Sequence, residues 1–125
     1  MTIETVRLSE KAKQQLITLK RRTGIEHWNI LCRWALCVSL AENSIPPHED
    51  IVTNSNIEMT WKTFGGEISD LLFVLLKQRT YCDYNNLDDN TLNYALKLHL
   101  HRGISYMLNK INSLDDFIML EKNLS

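Results

Sequence analysis

The sequence predicts a mainly α fold, and three observations carry that expectation. Apolar residues recur at helical spacing in five separate stretches. Period-two alternation is confined to two short segments, residues 2–8 and 57–62. Capping residues and glycines fall where the helical stretches begin and end.

Residues 2–8, TIETVRL, alternate as a short strand, with Val6 and Leu8 on one face and Ile3, Thr5 and Arg7 expected on the other. Ser9 follows as an N-cap, its hydroxyl able to accept from the free amides of the next turn. In the first helix Leu8, Ala12, Leu16 and Leu19 form a narrow apolar stripe. Lys13 and Lys20 flank that stripe on one side, Lys11 and Arg22 flank it on the other, and Arg21 points away. Gly24 is a left-handed stop, with Ile25 able to pack back on Leu19.

The second helix, residues 26–42, reads EHWNILCRWALCVSLAE and is apolar on nearly every side. Such a helix is expected to be central and covered both by its own chain and by another copy, with Trp28, Leu31, Trp34, Leu36 and Val38 as interface candidates in a homo-oligomer. Residues 43–56, with Pro46-Pro47, read as a loop, and IEMTWKTF as a half-buried extended segment broken by Gly65-Gly66. A third helix is predicted over 67–79, with Ile68, Leu71, Leu72, Leu75 and Leu76 on one face. A fourth follows over 89–110 and a last one, capped by Ser113, runs through Leu120. The expected organisation is one domain over 1–125, divided into an N-terminal unit (1–42), a loop with its extended segment (43–66) and C-terminal helices (67–125).

At 125 residues the chain can bury a core without disulfides or a structural metal. No apolar run reaches the roughly 18 residues needed to span a bilayer, and no signal-peptide layout opens the sequence, so no membrane role and a cytoplasmic place are expected. Three cysteines, Cys32, Cys37 and Cys82, fit reduced thiols better than a disulfide framework. The net charge is −1, but residues 1–36 carry +4 and residues 37–125 carry −5. That split suits an anion-facing end and a solvated or partner-facing remainder.

Catalytic and metal motifs are thin. There is no P-loop, dinucleotide glycine fingerprint, nucleophile elbow or zinc-protease helix. His99 and His101 lie about 200° apart on a helix and face different ways, and Cys32 and Cys37 miss the usual ligand spacings, so no metal, no cofactor and no enzymatic activity is expected. His99 is expected to pack on the apolar face with both ring nitrogens hydrogen-bonded, and Arg102-Gly103 to mark a close helix contact. Gly65-Gly66 reads as a plain turn, and Asp88, Asp89, Asp115 and Asp116 as helix-start residues.

The opening VRLSEKAKQQLITLKRRTGI…CRWALCVSL resembles a ribbon-helix-helix unit. In that family, strands from two chains pair and enter the major groove. Of the outward side chains here only Arg7 is a strong donor to guanine, so reading of bases is poorly equipped. Phosphate contact is better equipped, through Lys11, Lys13, Lys20, Arg21 and Arg22, because counterion release needs only positive charge at the backbone. The competing explanation is an ordinary solvated helix face.

Nearly the whole chain resembles the DndE family, the small subunit of bacterial DNA phosphorothioation systems. The segments that carry the likeness are VRLSEKAKQQLITLKRRTGI, LCRWALCVSLAE, IPP, EMTWKTFGGE, LLKQR and LHLHRGISYML, in family order. The resemblance implies a non-catalytic, multimeric, DNA-binding accessory protein, working beside a cysteine desulfurase, a subunit related to sulfonucleotide reductases and an ATPase. From it follow the expectations of a homotetramer and of backbone contact with duplex, including nicked, DNA. The alternative expectation is a scaffold subunit of the same complex with incidental DNA contact. A sulfur-carrier role for the cysteines ranks third.

Overall fold

The computed structural model describes residues 2–124, with the side chains of 121, 123 and 124 outside it. Strand β1 (Thr5–Arg7) leads into α1 (Glu10–Thr23) and α2 (Trp28–Ala41). After an irregular stretch come β2 (Glu58–Thr60), the short α3 (Trp61–Gly65), a 3-10 turn (Gly66–Ile68), α4 (Ser69–Tyr84), α5 (Asp89–Lys110) and α6 (Leu114–Leu124). The mainly helical expectation therefore holds.

The organising element is α5. It buries residues on every side, from Leu92 through His99 and Leu100 to Met107, and α1, α2 and α4 pack around it. The closest approach is to α2. A Cβ on Gly103 would lie 1.8 Å from the backbone oxygen of Ala35, so only hydrogen at position 103 lets the two backbones meet. The Arg102-Gly103 expectation is thus met by a glycine at the crossing. Arg102 beside it reaches over α2, donating from Nε to Ser39 Oγ at 2.9 Å and from Nη2 to the Ser39 carbonyl at 2.8 Å.

This packing changes the reading of α2. Leu31, Leu36 and Val38, expected to meet another copy, are buried in the chain's own core, while Trp28 and Trp34 are half-buried against it. Trp34 is occupied by Phe117 of α6, edge to face at 5.5 Å. The apolar character of α2 is accounted for within one chain, because α5 and α6 cover faces that the sequence alone left without a partner.

The strand also differs from a ribbon-helix-helix ribbon. β1 pairs antiparallel with β2 of its own chain, Val6 opposite Met59 and Arg7 opposite Glu58. Ile3, expected to face a groove, is buried with Val6 and Leu8; the chain enters the core before the strand alternation begins.

The extended segment expected over 57–62 stops at Thr60. Its Oγ1 accepts from Thr63 N at 3.1 Å and starts α3, and Trp61 then stacks on Phe64 at 5.1 Å. Gly65-Gly66 is more than a plain turn: Gly66 has φ 58°, and a Cβ there would meet the Arg33 guanidinium at 2.9 Å. Helix α4 begins at Ser69 and runs to Tyr84, five residues past the predicted end, where Asn85 takes the left-handed conformation at φ 53°. Of its predicted apolar face only Leu72 and Leu76 are buried; Ile68, Leu71 and Leu75 are exposed. The buried line is instead Ser69, Leu72, Leu76 and Thr80, two small polar residues completing it.

Candidate nucleic-acid interface

Helix α1 carries five of the six candidate cations, and its ends are firmly fixed. At the start Ser9 Oγ accepts from Ala12 N at 3.0 Å. Two amides that a free helix end would leave unpaired are taken by other segments: Ser9 N donates to His101 Nε2 at 3.1 Å and Glu10 N to Asn54 Oδ1 at 3.3 Å. At the far end Gly24, at φ 76°, donates its N–H to the Lys20 carbonyl at 2.8 Å. Glu10 in the first turn and Lys20, Arg21 and Arg22 in the last complement the helix dipole.

The six cations do not form one patch. Arg22 is turned inward: its Nη1 donates to the carbonyls of Leu108 at 2.9 Å and Ile111 at 3.3 Å. It closes the C-terminal end of α5, where carbonyls lack helical partners. Arg7 faces solvent but pairs with Glu58 at 3.2 Å across the strand ladder, which neutralises the one residue equipped to read guanine. Lys11 lies on the α5 side of α1. It lines a cleft of about 550 Å³ together with Glu10, Glu49 and Asp50, acidic neighbours that oppose a phosphate.

Lys13, Lys20 and Arg21 remain. Lys13 is half-buried, in a cleft with Glu26 and Glu58, and Arg21 is exposed; neither side chain makes a hydrogen bond or ion pair among the described residues. The ammonium of Lys20 stands 4.0 Å from the centre of the Trp28 ring, a cation–π contact that fixes the charge while leaving its hydrogens available. At about 100° per residue these three share one arc of the helix with Ile17, and Ile17 is exposed. The arc from residue 13 to residue 21 spans roughly 12 Å at 1.5 Å per residue. Trp28, assigned from sequence to an oligomer interface, stands beside this arc. The tight turn at Gly24 folds the last turn of α1 beside the first turn of α2 and brings the ring under Lys20.

Three other constellations lie away from this arc. Ser39, His99 and Asp83 stand in series, with Ser39 Oγ 2.7 Å from His99 Nδ1 and His99 Nε2 3.9 Å from Asp83 Oδ2. Ser39 and His99 are fully buried. The hydroxyl also accepts from Arg102 Nε at 2.9 Å. Nε2 lacks a hydrogen-bond partner, which corrects the expectation that both nitrogens are bonded; Asp83 is instead drawn to Arg79 Nε at 2.8 Å. The series ties α2, α4 and α5 together, and burial, followed by the charges of Arg79 and Arg102, lowers the His99 pKa to about 4. His101, facing elsewhere, accepts from Ser9 and holds its other nitrogen 2.7 Å from the Lys97 carbonyl. Burial pushes the Cys32 thiol up to about 12 and also raises Cys37, and a protonated thiol is a poor nucleophile. Among the described residues no cluster of His, Cys, Asp or Glu is arranged to hold a metal ion, and no helix is long and apolar enough to cross a membrane.

The fold therefore defines a small helical protein with an intrachain two-stranded ladder and a partly exposed cationic arc on its first helix. The sequence profile of the DndE family, described as DNA sulphur modification protein DndE, matches residues 5–115, and the chain belongs to that family. The chain is also similar to solved structures. DndE from Escherichia coli, described as involved in DNA phosphorothioation modification, aligns at 26% identity with a TM-score of 0.72, over 86% of this chain and 98% of that one. A double glycine-to-lysine variant of DndE, also described as involved in DNA phosphorothioation, aligns at 23% identity with a TM-score of 0.67, over 86% and 99%. Among curated protein sequences none matches the chain.

Proposed function

We propose that this protein is a non-catalytic, DNA-binding subunit of a DNA phosphorothioation system, acting in the cytoplasm as a homo-oligomer, a tetramer, beside the other subunits. It holds the phosphate backbone of duplex DNA, intact or nicked, through Lys13, Lys20 and Arg21. The observation that carries this reading is the arc itself: within a DndE-family chain, three cations share one outward face of α1, none of them consumed by an anion of its own fold. Chemistry on the phosphate needs a component that grips the backbone irrespective of base identity, and point charges along a helix do that.

Fluorescence anisotropy on a labelled duplex, intact and nicked, across a salt series tests the proposal. Three phosphate contacts per protomer give log K falling against log salt with a slope of about −3 for each protomer engaged. Charge reversal at Lys13, Lys20 and Arg21 together is expected to abolish binding. Unchanged binding by that variant sinks the assignment.

A scaffold role is the second reading, favoured by one observation: α4 and α6 expose Leu71, Val74 and Leu75, and Leu114, Ile118 and Met119. If it holds, the arc variant still co-purifies with the other subunits and still supports DNA modification.

A further inference from the structure

Three of the surface clefts differ in the charges that line them. The cleft beside Lys11 sets Lys11 and Arg102 against Glu10, Glu49 and Asp50, a balance of −1. The cleft beside Lys13 sets that lysine against Glu26 and Glu58, again −1. The third, of about 390 Å³, lies between β1 and α5 and is lined by Arg7 and Lys97 with no carboxylate, a balance of +2. Two carboxylates near it are already engaged elsewhere. Glu58 pairs with Arg7 Nη2 at 3.2 Å from outside the lining, and Asp89 accepts from Thr2 N at 3.1 Å.

Lys97 is the unusual member. It sits midway along α5 between buried leucines, is itself half-buried, and its side chain makes no hydrogen bond or ion pair among the described residues. A partly desolvated ammonium with no carboxylate beside it gains most from an anion supplied from outside. Arg7 adds to it, since only Nη2 of its guanidinium is taken by Glu58.

The rest of the lining suits an anion with an organic body. Val6, Leu96 and Leu100 are buried and give the cleft apolar ground. Tyr94 is held in place by His48, which stacks on its ring at 5.7 Å and bonds its hydroxyl. Asn90 and Asn93 are exposed on the first turns of α5. Asn93 Nδ2 donates to the Asp89 carbonyl at 2.8 Å, which leaves its Oδ1 as an acceptor, and the Asn90 amide has no partner among the described residues. A side-chain amide offers a donor and an acceptor side by side, the complement of a nucleobase edge. The volume falls within the range of about 300–1,000 Å³ usual for small-molecule sites.

We propose that this cleft binds a nucleoside 5′-monophosphate, with Lys97 and the uncommitted nitrogens of Arg7 on the phosphate and Asn90 and Asn93 on the base edge. The site shares no residue with Lys13, Lys20 and Arg21, so it stands or falls apart from the DNA contact of the proposed function.

Isothermal titration calorimetry at fixed ionic strength tests it, with the four common nucleoside 5′-monophosphates, their nucleosides and inorganic phosphate as separate titrants. At least one nucleotide is expected to bind saturably, one per protomer, and about tenfold or more tightly than its nucleoside or phosphate, because it alone engages both ends. Absence of saturable binding by all four overturns the proposal, and equal affinity for phosphate and nucleotide, an adventitious ion only, does the same. Lys97→Gln, shown folded by circular dichroism, is expected to weaken nucleotide binding about tenfold; undiminished binding overturns the assignment. Asn90→Ala with Asn93→Ala is expected to lower the preference for nucleotide over phosphate, and an unchanged preference overturns the role of the amides. Amide chemical shifts of the unaltered protein give a reading that needs no variant: changes centred on residues 5–7, 53 and 90–97 are expected, and changes centred elsewhere overturn the site. Duplex DNA affinity is expected to be the same in Lys97→Gln as in the unaltered protein. A loss as large as that of the arc variant would make the cleft part of the DNA contact and overturn the small-molecule assignment.

Discussion

The guanidinium of Arg22 donates to the Leu108 carbonyl at 2.9 Å, at the end of a helix 86 residues further along the chain. Its neighbour Arg21 has no partner among the described residues. Two adjacent arginines therefore do different work. Arg22→Ala is expected to lower stability by about 2 kcal/mol, the worth of a charged donor on backbone acceptors, and Arg21→Ala to leave it within about 0.5 kcal/mol. Denaturant melts give the first comparison; the slope of DNA affinity against salt, shallower by about 1 for Arg21→Ala, gives the second.

The two lysines at the start of α1 separate in the same way. Lys13 belongs to the arc, with Glu26 and Glu58 in the cleft beside it, whereas Lys11 lies off the arc in a cleft with Glu10, Glu49 and Asp50. Lys13→Glu is expected to weaken DNA binding at low salt at least tenfold. Lys11→Glu is expected to change it less than threefold, because Lys11 lies off the arc that Lys13 shares with Lys20 and Arg21. Equal losses at both positions would return the contact to the whole helix.

At the α2–α5 crossing, Gly103→Ala is expected to be among the most damaging single substitutions in the protein. The new methyl would overlap the Ala35 backbone, and backbone cannot yield as a side-chain tip does. A loss of about 3 kcal/mol or more is expected. It would appear as a Tm lower by at least about 10 °C at this chain length.

Stability is expected to fall on mild acidification. His99 stays neutral in the fold, its pKa lowered from 6.5 to about 4. Between those values the unfolded chain takes up a proton that the folded chain refuses, so stability is full above about pH 6.5 and declines as pH drops toward 4. The decline attributable to His99 is about 3 kcal/mol over that window, and His101, lowered by burial as well, acts in the same direction. Thermal melts from pH 7 to pH 4.5 check this; a His99→Gln variant should be less stable at pH 7 but lose less on acidification.

Local signals carried most of the fold, because they report on themselves. Ser9, Gly24 and Gly103 do their work through hydroxyl, left-handed φ or missing Cβ, and each is readable from residue type and position. What sequence could not supply was the partner. The apolar faces of α2 and α4 look alike as patterns, yet Leu31 and Leu36 are enclosed by their own chain while Leu71 and Leu75 are open. Spacing reveals that a face is apolar and not what covers it. The cationic arc was legible as a set of charges on α1, but its division was not: Arg22 and Arg21 differ by one turn-step of the helix and by the long-range acceptor that only one can reach. Thr60 shows the opposite failure, a local cap hidden by an alternating pattern that continued one residue too far.

The contacts that secure α1 come from far down the chain. Its opening amide waits for His101, 92 residues on, its last turn for the end of α5, and β1 for the strand that ends at Thr60. On a ribosome, then, the first helix emerges well before the segments that hold it, and cannot settle until almost all of the chain is made. The nascent chain must keep a basic, half-apolar helix in solution through most of its own synthesis. A pause or truncation anywhere before α5 is complete would release a fragment whose first helix lacks those contacts.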